Sequence, residues 1–152
     1  MVAIRAIAVE DAGAVTELVR QLGYERPASE VRRWIEELGK TRREQAAFVA
    51  CAADEVIGWI EVSMERRLQT EPFAMIGGLV VKDGFRGSGV GKRLCEKAER
   101  WGRDCGSRTI RVTSRSTREA THRFYERDGY QRVKMSVVFE KPLAGTPTHT
   151  LA

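Results

Sequence analysis

Cysteine and histidine are scarce. The 152 residues contain three cysteines, Cys51, Cys95 and Cys105, and two histidines, His122 and His149. No C-x-x-C pair occurs and any intramolecular pairing leaves an odd thiol, which excludes a disulfide framework and points to free, mostly packed thiols of a reducing compartment. With so few ligands and no ligand spacing among them, no metal is expected, zinc included. Long apolar runs are missing as well. No stretch approaches the length of a membrane span, and the N-terminus MVAIRAIAVED lacks a charged region followed by a long apolar core. A cytoplasmic location and no membrane partner are therefore expected.

Charge is abundant in both signs. Twenty-six Lys and Arg against 21 Asp and Glu give a net charge of +5, with the signs interspersed, as in ERRLQTE and EKAERWGRD. Such patterning marks solvated helix faces, and the absence of a basic run with interleaved aromatics argues against a nucleic-acid surface. A polyanionic cofactor accounts for part of the surplus. Hydrophobic residues at 42% and charged residues at 31% are ordinary for a globular chain that fits one domain. That domain is expected over residues 1–143, with 144–152 (AGTPTHTLA) a mobile tail.

Periodicity places the elements. VAIRAIA (2–8) alternates as a first strand. Asp11 then caps a helix with Val15, Leu18, Val19 and Leu22 on one face, stopped by Gly23, and a second helix follows Pro27, with Val31, Trp34, Ile35 and Leu38 before Gly39. AAFVACA (46–52) and VIGWIEVSM (56–64) flank Ala53-Asp54-Glu55 as a hairpin, and a polar connection, 65–72, leads to an apolar strand ending at Val81. A helix opens near Val90, with Leu94, Ala98, Trp101 and Cys105 on its face. TIRVTS (109–114) is a strand, so a right-handed crossover and a parallel pair follow. A short helix closed by Asp128-Gly129, with Ala120 and Phe124 as its packed face, precedes one or two strands in QRVKMSVVFEKPL. The resulting order, β-α-α-β-β-β-α-β-α-β-β, is an α/β chain with a mixed sheet and helices on its faces.

The junction Arg86-Gly87-Ser88-Gly89-Val90-Gly91 carries the clearest chemistry. Its glycines remove the Cβ atoms that would hold a ligand away from the backbone amides. Unpaired N–H groups and the positive end of a helix dipole converge there, which is how a helix N-terminus binds phosphate. A Walker A loop fails, because Arg86 stands at its first glycine and Arg93 at its hydroxyl; the dinucleotide fingerprint fails because Lys92 occupies its third glycine. Taken alone, the cluster also suits a glycine-rich structural turn.

The pattern R-x-x-G-x-G after Leu79-Val80-Val81 resembles the acyl-CoA-binding motif of the GCN5-related N-acetyltransferases. A second stretch supports the likeness: Tyr125, Glu126, Gly129 and Tyr130 match that family's N-x-x-A-x-x-x-Y-E-x-x-G-[FY], while Arg118 replaces the asparagine and Thr121 the alanine. The resemblance spans residues 2–143 and implies the acyl-CoA N-acyltransferase fold. It further implies acetyl-CoA as co-substrate, gripped at Arg86, Gly87, Ser88, Gly89, Val90 and Gly91, with the pantetheine arm pairing to Leu79, Val80 and Val81 where the fourth and fifth strands part. It places Tyr125 beside the CoA sulfur as general acid, a role suited to a phenol of pKa near ~10. The competing expectation for Tyr125 is packing beside Phe124.

The implied activity is direct acetyl transfer to a primary amine of a small molecule or peptide, since no cysteine falls in either signature to carry an acyl-enzyme. A CoA-binding regulatory module without turnover, and an acetyltransferase acting on charged tRNA, are the alternatives. Dimerisation is common in the resembled family. A base is harder to find: the fourth-strand glutamate of many relatives is absent from Phe73-Ala74-Met75-Ile76. Glu61, Glu65 and Glu71 are substitutes, each first expected to be surface charge, with proton transfer through water as the other route. Gly77-Gly78 within the strand signals a bulge or a close backbone approach that can free an amide for the thioester carbonyl, or simple relief of crowding.

Overall fold

The computed structural model describes residues 1–40 and 44–144. The expected tail falls outside them save for Ala144. The chain divides into two units, Met1–Thr113 and Ser114–Ala152.

The first unit is built on five strands: β1 (Val2–Ala6), β2 (Gln45–Ala52), β3 (Glu55–Glu65), β4 (Phe73–Val81) and β5 (Ile110–Val112), hydrogen-bonded in sequence order. The pairs from β1 to β4 are antiparallel and β4–β5 is parallel. A parallel pair needs a crossover, supplied by helix α3 (Val90–Asp104).

Adjacent residues of a strand face opposite sides, and β3 shows what each side holds. Trp59 packs in a cluster with Val15, Leu18, Ala47, Val49 and Val80, so this face is covered by α1 (Ala12–Leu22) and α2 (Ala28–Leu38). Gly58, next in sequence, faces Leu94 and Val90 of α3. Helix α1 stops where expected: Gly23 has φ 115°, its N–H bonds to the Arg20 carbonyl, and Tyr24 N–H reaches back to Val19. These two bonds satisfy carbonyls that the helix end leaves open.

Two sequence expectations shift. Asp11 makes no side-chain cap bond to α1. Its carboxylate instead turns back, accepting the Ala8 N–H at 2.7 Å and both Arg5 guanidinium nitrogens at 2.8 Å, a fork-to-fork pair that outcompetes a single cap bond. On α3 the buried line is Val90, Leu94, Cys95, Ala98 and Gly102, whereas Cys105 is exposed. Gly102 takes over because the helix runs against β4 there: a Cβ at Gly102 would sit 3.0 Å from that of Ala74.

In the second unit, α4 (Glu119–Arg127) is followed by residues 131–142, which carry no helix or strand. The one or two strands expected in QRVKMSVVFEKPL do not form: Val133, Met135, Val137 and Phe139 alternate along the chain, yet all are exposed. Alternation supplies only side chains, and a strand also needs a backbone partner, which α4 does not offer.

Candidate active site

β4 and β5 pair only over Ala74–Ile76 against Ile110–Val112, so the β5 side of β4 beyond Ile76 is unpaired in the sheet. The Lys82 N–H bonds to the Ile57 carbonyl at 2.8 Å, facing β3. By alternation, the N–H groups of Leu79 and Val81 face the opposite way, along that open edge. The ladder ends there because β5 is three residues long. Gln21 of α1 braces the strand exit, donating to the Val81 carbonyl at 2.8 Å and accepting the Asp83 N–H at 3.0 Å.

The loop from Lys82 to Gly89 is shaped by three glycines at positive φ: Gly84 (93°), Gly87 (81°) and Gly89 (85°). Nothing lies within 4 Å of a Cβ built on any of them. Backbone conformation, rather than crowding, is thus what calls for glycine. Gly89 is the N-cap of α3 in the left-handed region, with no side-chain cap and no acidic residue in the first turn. The first helical bond is Arg93 N–H to the Gly89 carbonyl, so the amides of Val90, Gly91 and Lys92 precede any intrahelical acceptor. Ser88 donates its hydroxyl to the Phe85 carbonyl, which makes it an internal brace. Arg86 pairs with Asp83 at 3.3 Å on the surface, and Arg93 ties α3 to the Val2 carbonyl. Free amides, a helix N-terminus without a competing carboxylate, and Cβ-free turns fit a pyrophosphate.

Upstream on β4 the Gly77-Gly78 pair marks a register shift against β3, between Glu61 and Val62. A Cβ on Gly78 would stand 2.6 Å from Trp59 Cη2, and one on Gly77 would stand 3.1 Å from Glu61 Oε1. Both glycines are therefore covered by β3 side chains. Of the three substitute carboxylates, Glu65 lies 3.4 Å from Arg67 and the exposed Glu71 lies 4.0 Å from Arg108. Glu61 lies over Gly77 of β4.

Tyr125 belongs to the second unit. It is buried at 9% exposure, edge-to-face with Phe124 (5.2 Å) and Tyr130 (5.5 Å). The match in sequence has a structural counterpart: Gly129, at φ 91°, ends α4, and the Tyr130 N–H returns to the Tyr125 carbonyl at 2.9 Å. Phe124 accompanies the ring, as the packing expectation held. Arg118 occupies the N-cap of α4 without a side-chain cap bond, where an asparagine could have made one. His122 Nε2 lies 2.7 Å from the Arg115 carbonyl, which assigns the proton to that nitrogen.

The nine strand and loop residues singled out in the sequence all lie in the first unit, at the end of β4 and in the loop that opens α3, with Val80 and Val90 buried in its core. Gln21 was missed there, being one polar residue on an amphipathic helix with no motif around it. Among the described residues no group of three or more His, Cys, Asp or Glu is placed to hold a metal, and no helix is long and apolar enough to cross a membrane.

The model of the acetyltransferase (GNAT) family matches residues 12–130. The aminoglycoside N(6')-acetyltransferase type 1 of Stenotrophomonas maltophilia is 32% identical over 105 residues, covering 66% of this chain and 69% of that protein. Among solved structures, AAC(6')-Iy in complex with the bisubstrate analogue CoA-S-monomethyl-acetylneamine superposes with a TM-score of 0.83 at 21% identity, covering 94% of this chain and 99% of that one. The aminoglycoside 6'-N-acetyltransferase AAC(6')-Ih from Acinetobacter baumannii gives a TM-score of 0.82 at 18% identity, covering 95% and 100%. At these identities the structural matches speak to the fold.

Proposed function

The chain belongs to the GNAT family of acetyltransferases, and from that premise we propose that it transfers the acetyl group of acetyl-CoA directly to a primary amine of a small molecule, aminoglycosides first among the acceptors to be tried. The observation that carries this reading is the uncapped N-terminus of α3, reached through left-handed glycines directly after the open edge of β4. Residues 1–143 act in it as one catalytic domain.

When bound, acetyl-CoA supplies an activated acyl carbon and a thiol leaving group. The amides from Gly87 to Gly91 hold its pyrophosphate and Arg86 adds positive charge. Leu79 and Val81 offer outward N–H groups to the amide-bearing arm, with Val80 between them turned to β3. Tyr125 donates its phenolic proton to the departing sulfur as the new carbon–nitrogen bond forms and the carbon–sulfur bond breaks, while the proton lost by the amine nitrogen passes through water to solvent, from which the phenol is reprotonated. A match to the family's tyrosine motif and a ring held by two aromatic neighbours support that role. The preference for aminoglycosides rests on the 32%-identical relative.

The test is thiol release from acetyl-CoA across a panel of amines, including neamine, polyamines and peptide N-termini, with the acetylated product identified by mass. Release with at least one amine, in equal amount to product, is the expected result. Tight acetyl-CoA binding with no release from any acceptor would instead identify a regulatory module.

A further inference from the structure

β3 and β4 run in register from Gly58↔Val81 to Glu61↔Gly78 and resume at Val62↔Ile76, which leaves Gly77 as the extra residue of a β-bulge. Neither Gly77 nor Gly78 has a positive φ, so backbone conformation does not call for glycine at either place. Space does. On the face covered by α1 and α2, the six-membered end of the Trp59 indole reaches from β3 onto Gly78, with Cη2 2.6 Å and Cζ3 2.8 Å from where a Cβ would stand. The ring has no room to retreat: it is 7% exposed and wedged among Val15 and Leu18 of α1, Val49 of β2 and Val80 of β4. The other face of the sheet is closed as well. There Leu94 and Ala98 of α3 are fully buried, and a Cβ at Gly102 would stand 3.0 Å from that of Ala74.

We propose that Trp59 sets the acyl-chain length of the donor, closing β4 to chains longer than acetyl; this rests on the acetyltransferase reading. With the pyrophosphate at Gly87 to Gly91 and the arm beside Val81 and then Leu79, the acyl end continues along β4 towards Gly78 and Gly77, at about 3.3 Å per residue. At Gly78 the indole already fills the room that the missing side chain would have left. A longer acyl chain gains affinity by burying its added methylenes, about fourfold for each. A wedged ring on one face and a packed helix on the other withhold that gain. Shortening the side chain at position 59 opens an apolar space beside the acyl end, and a space of that kind stays dry and accepts an apolar group.

The experiment is calorimetric binding of CoA, acetyl-CoA and butyryl-CoA to the full chain, as wild type, Trp59→Leu and Trp59→Phe, with thiol release to the amine panel measured in parallel. Wild type should bind butyryl-CoA no more than about threefold tighter than acetyl-CoA. In Trp59→Leu the preference should move about tenfold towards butyryl-CoA, while the affinity for CoA itself, which has no acyl group, stays within about twofold of wild type. Trp59→Phe keeps a buried aromatic ring and should move the preference in the same direction by a smaller factor, which decides the matter where the leucine variant does not fold. A wild type that already gains about tenfold from the longer chain, or a butyryl-to-acetyl ratio unchanged in the variants, overturns the proposal. A ratio that depends on Trp59 with no thiol release to any amine overturns the transferase reading and leaves the role of Trp59 standing.

Discussion

Aspartate at Gly89 separates ligand binding from stability. Gly89 has φ 85° and ψ 2°, a conformation that costs an L-residue about 1–2 kcal/mol. Aspartate tolerates it better than most, and a carboxylate at a helix N-terminus returns about 0.3–1 kcal/mol through the dipole. The free Gly89→Asp protein should therefore melt within about 7 °C of wild type, at about 2–4 °C per kcal/mol for a chain of this size. Binding should suffer far more. A carboxylate about 5 Å from one phosphate charge costs about 3 kcal/mol at an effective dielectric of about 20, before the loss of amide donors is counted. Acetyl-CoA at about 100 times its dissociation constant stabilises wild type by about 2.7 kcal/mol, a shift of about 5–10 °C. After a hundredfold loss of affinity about 0.4 kcal/mol remains, or about 1 °C. Gly89→Ala carries the strain without the charge and should keep most of the shift. Differential scanning fluorimetry with and without acetyl-CoA reads all three proteins. An undiminished shift in Gly89→Asp removes the loop from the cofactor site.

Tyr125→Phe should preserve the acetyl-CoA melting shift while lowering kcat about 10²- to 10⁴-fold with an established acceptor, and a wild-type kcat would reduce the residue to packing. The Asp11 carboxyl is held below the usual carboxylate range, chiefly by the Arg5 hydrogen bonds, against the opposing effect of burial. A depressed value stabilises the fold above the unfolded pKa of about 3.9 and loses that contribution as pH falls through the folded value. Asp11→Asn should therefore cost about 2 kcal/mol at neutral pH, or about 4–8 °C, and the gap to wild type should narrow below about pH 4 in thermal melts; a gap independent of pH contradicts it. Gly78→Ala must displace the Trp59 ring from 2.6 Å and should destabilise by about 1–3 kcal/mol in urea unfolding, whereas an unchanged midpoint would show that the ring yields freely.

What was legible in the sequence was whatever local chemistry dictates. Gly23 and Gly129 stop helices because left-handed backbone is theirs to adopt, and Gly77-Gly78 marked the bulge. The shape of the loop after β4 was readable because glycine encodes its left-handed turns. What depends on tertiary choice stayed hidden. Asp11 had two possible partners, and only the fold brings Arg5 to it. Gly102 is buried on α3 where spacing favoured Trp101 and Cys105, because close approach of helix and strand selects the smallest residue. Glu61 read as a surface charge since nothing in β3 announces that β4 has cleared a place beside it. Residues 131–142 show the opposite failure, an alternating pattern without regular pairing.

Gln21 spends both ends of its amide on one junction, its donor on Val81 and its acceptor on Asp83. Helix α1 therefore cannot slide against the start of the loop without breaking two hydrogen bonds. A molecule resting on α1 that favours one position of the helix changes the affinity of the loop for its anion, and the anion changes the affinity for that molecule by the same factor. Two bonds of about 1 kcal/mol each bound that coupling at about 2 kcal/mol, roughly thirtyfold. A single side chain thus ties the position of α1 to the backbone at the start of the loop.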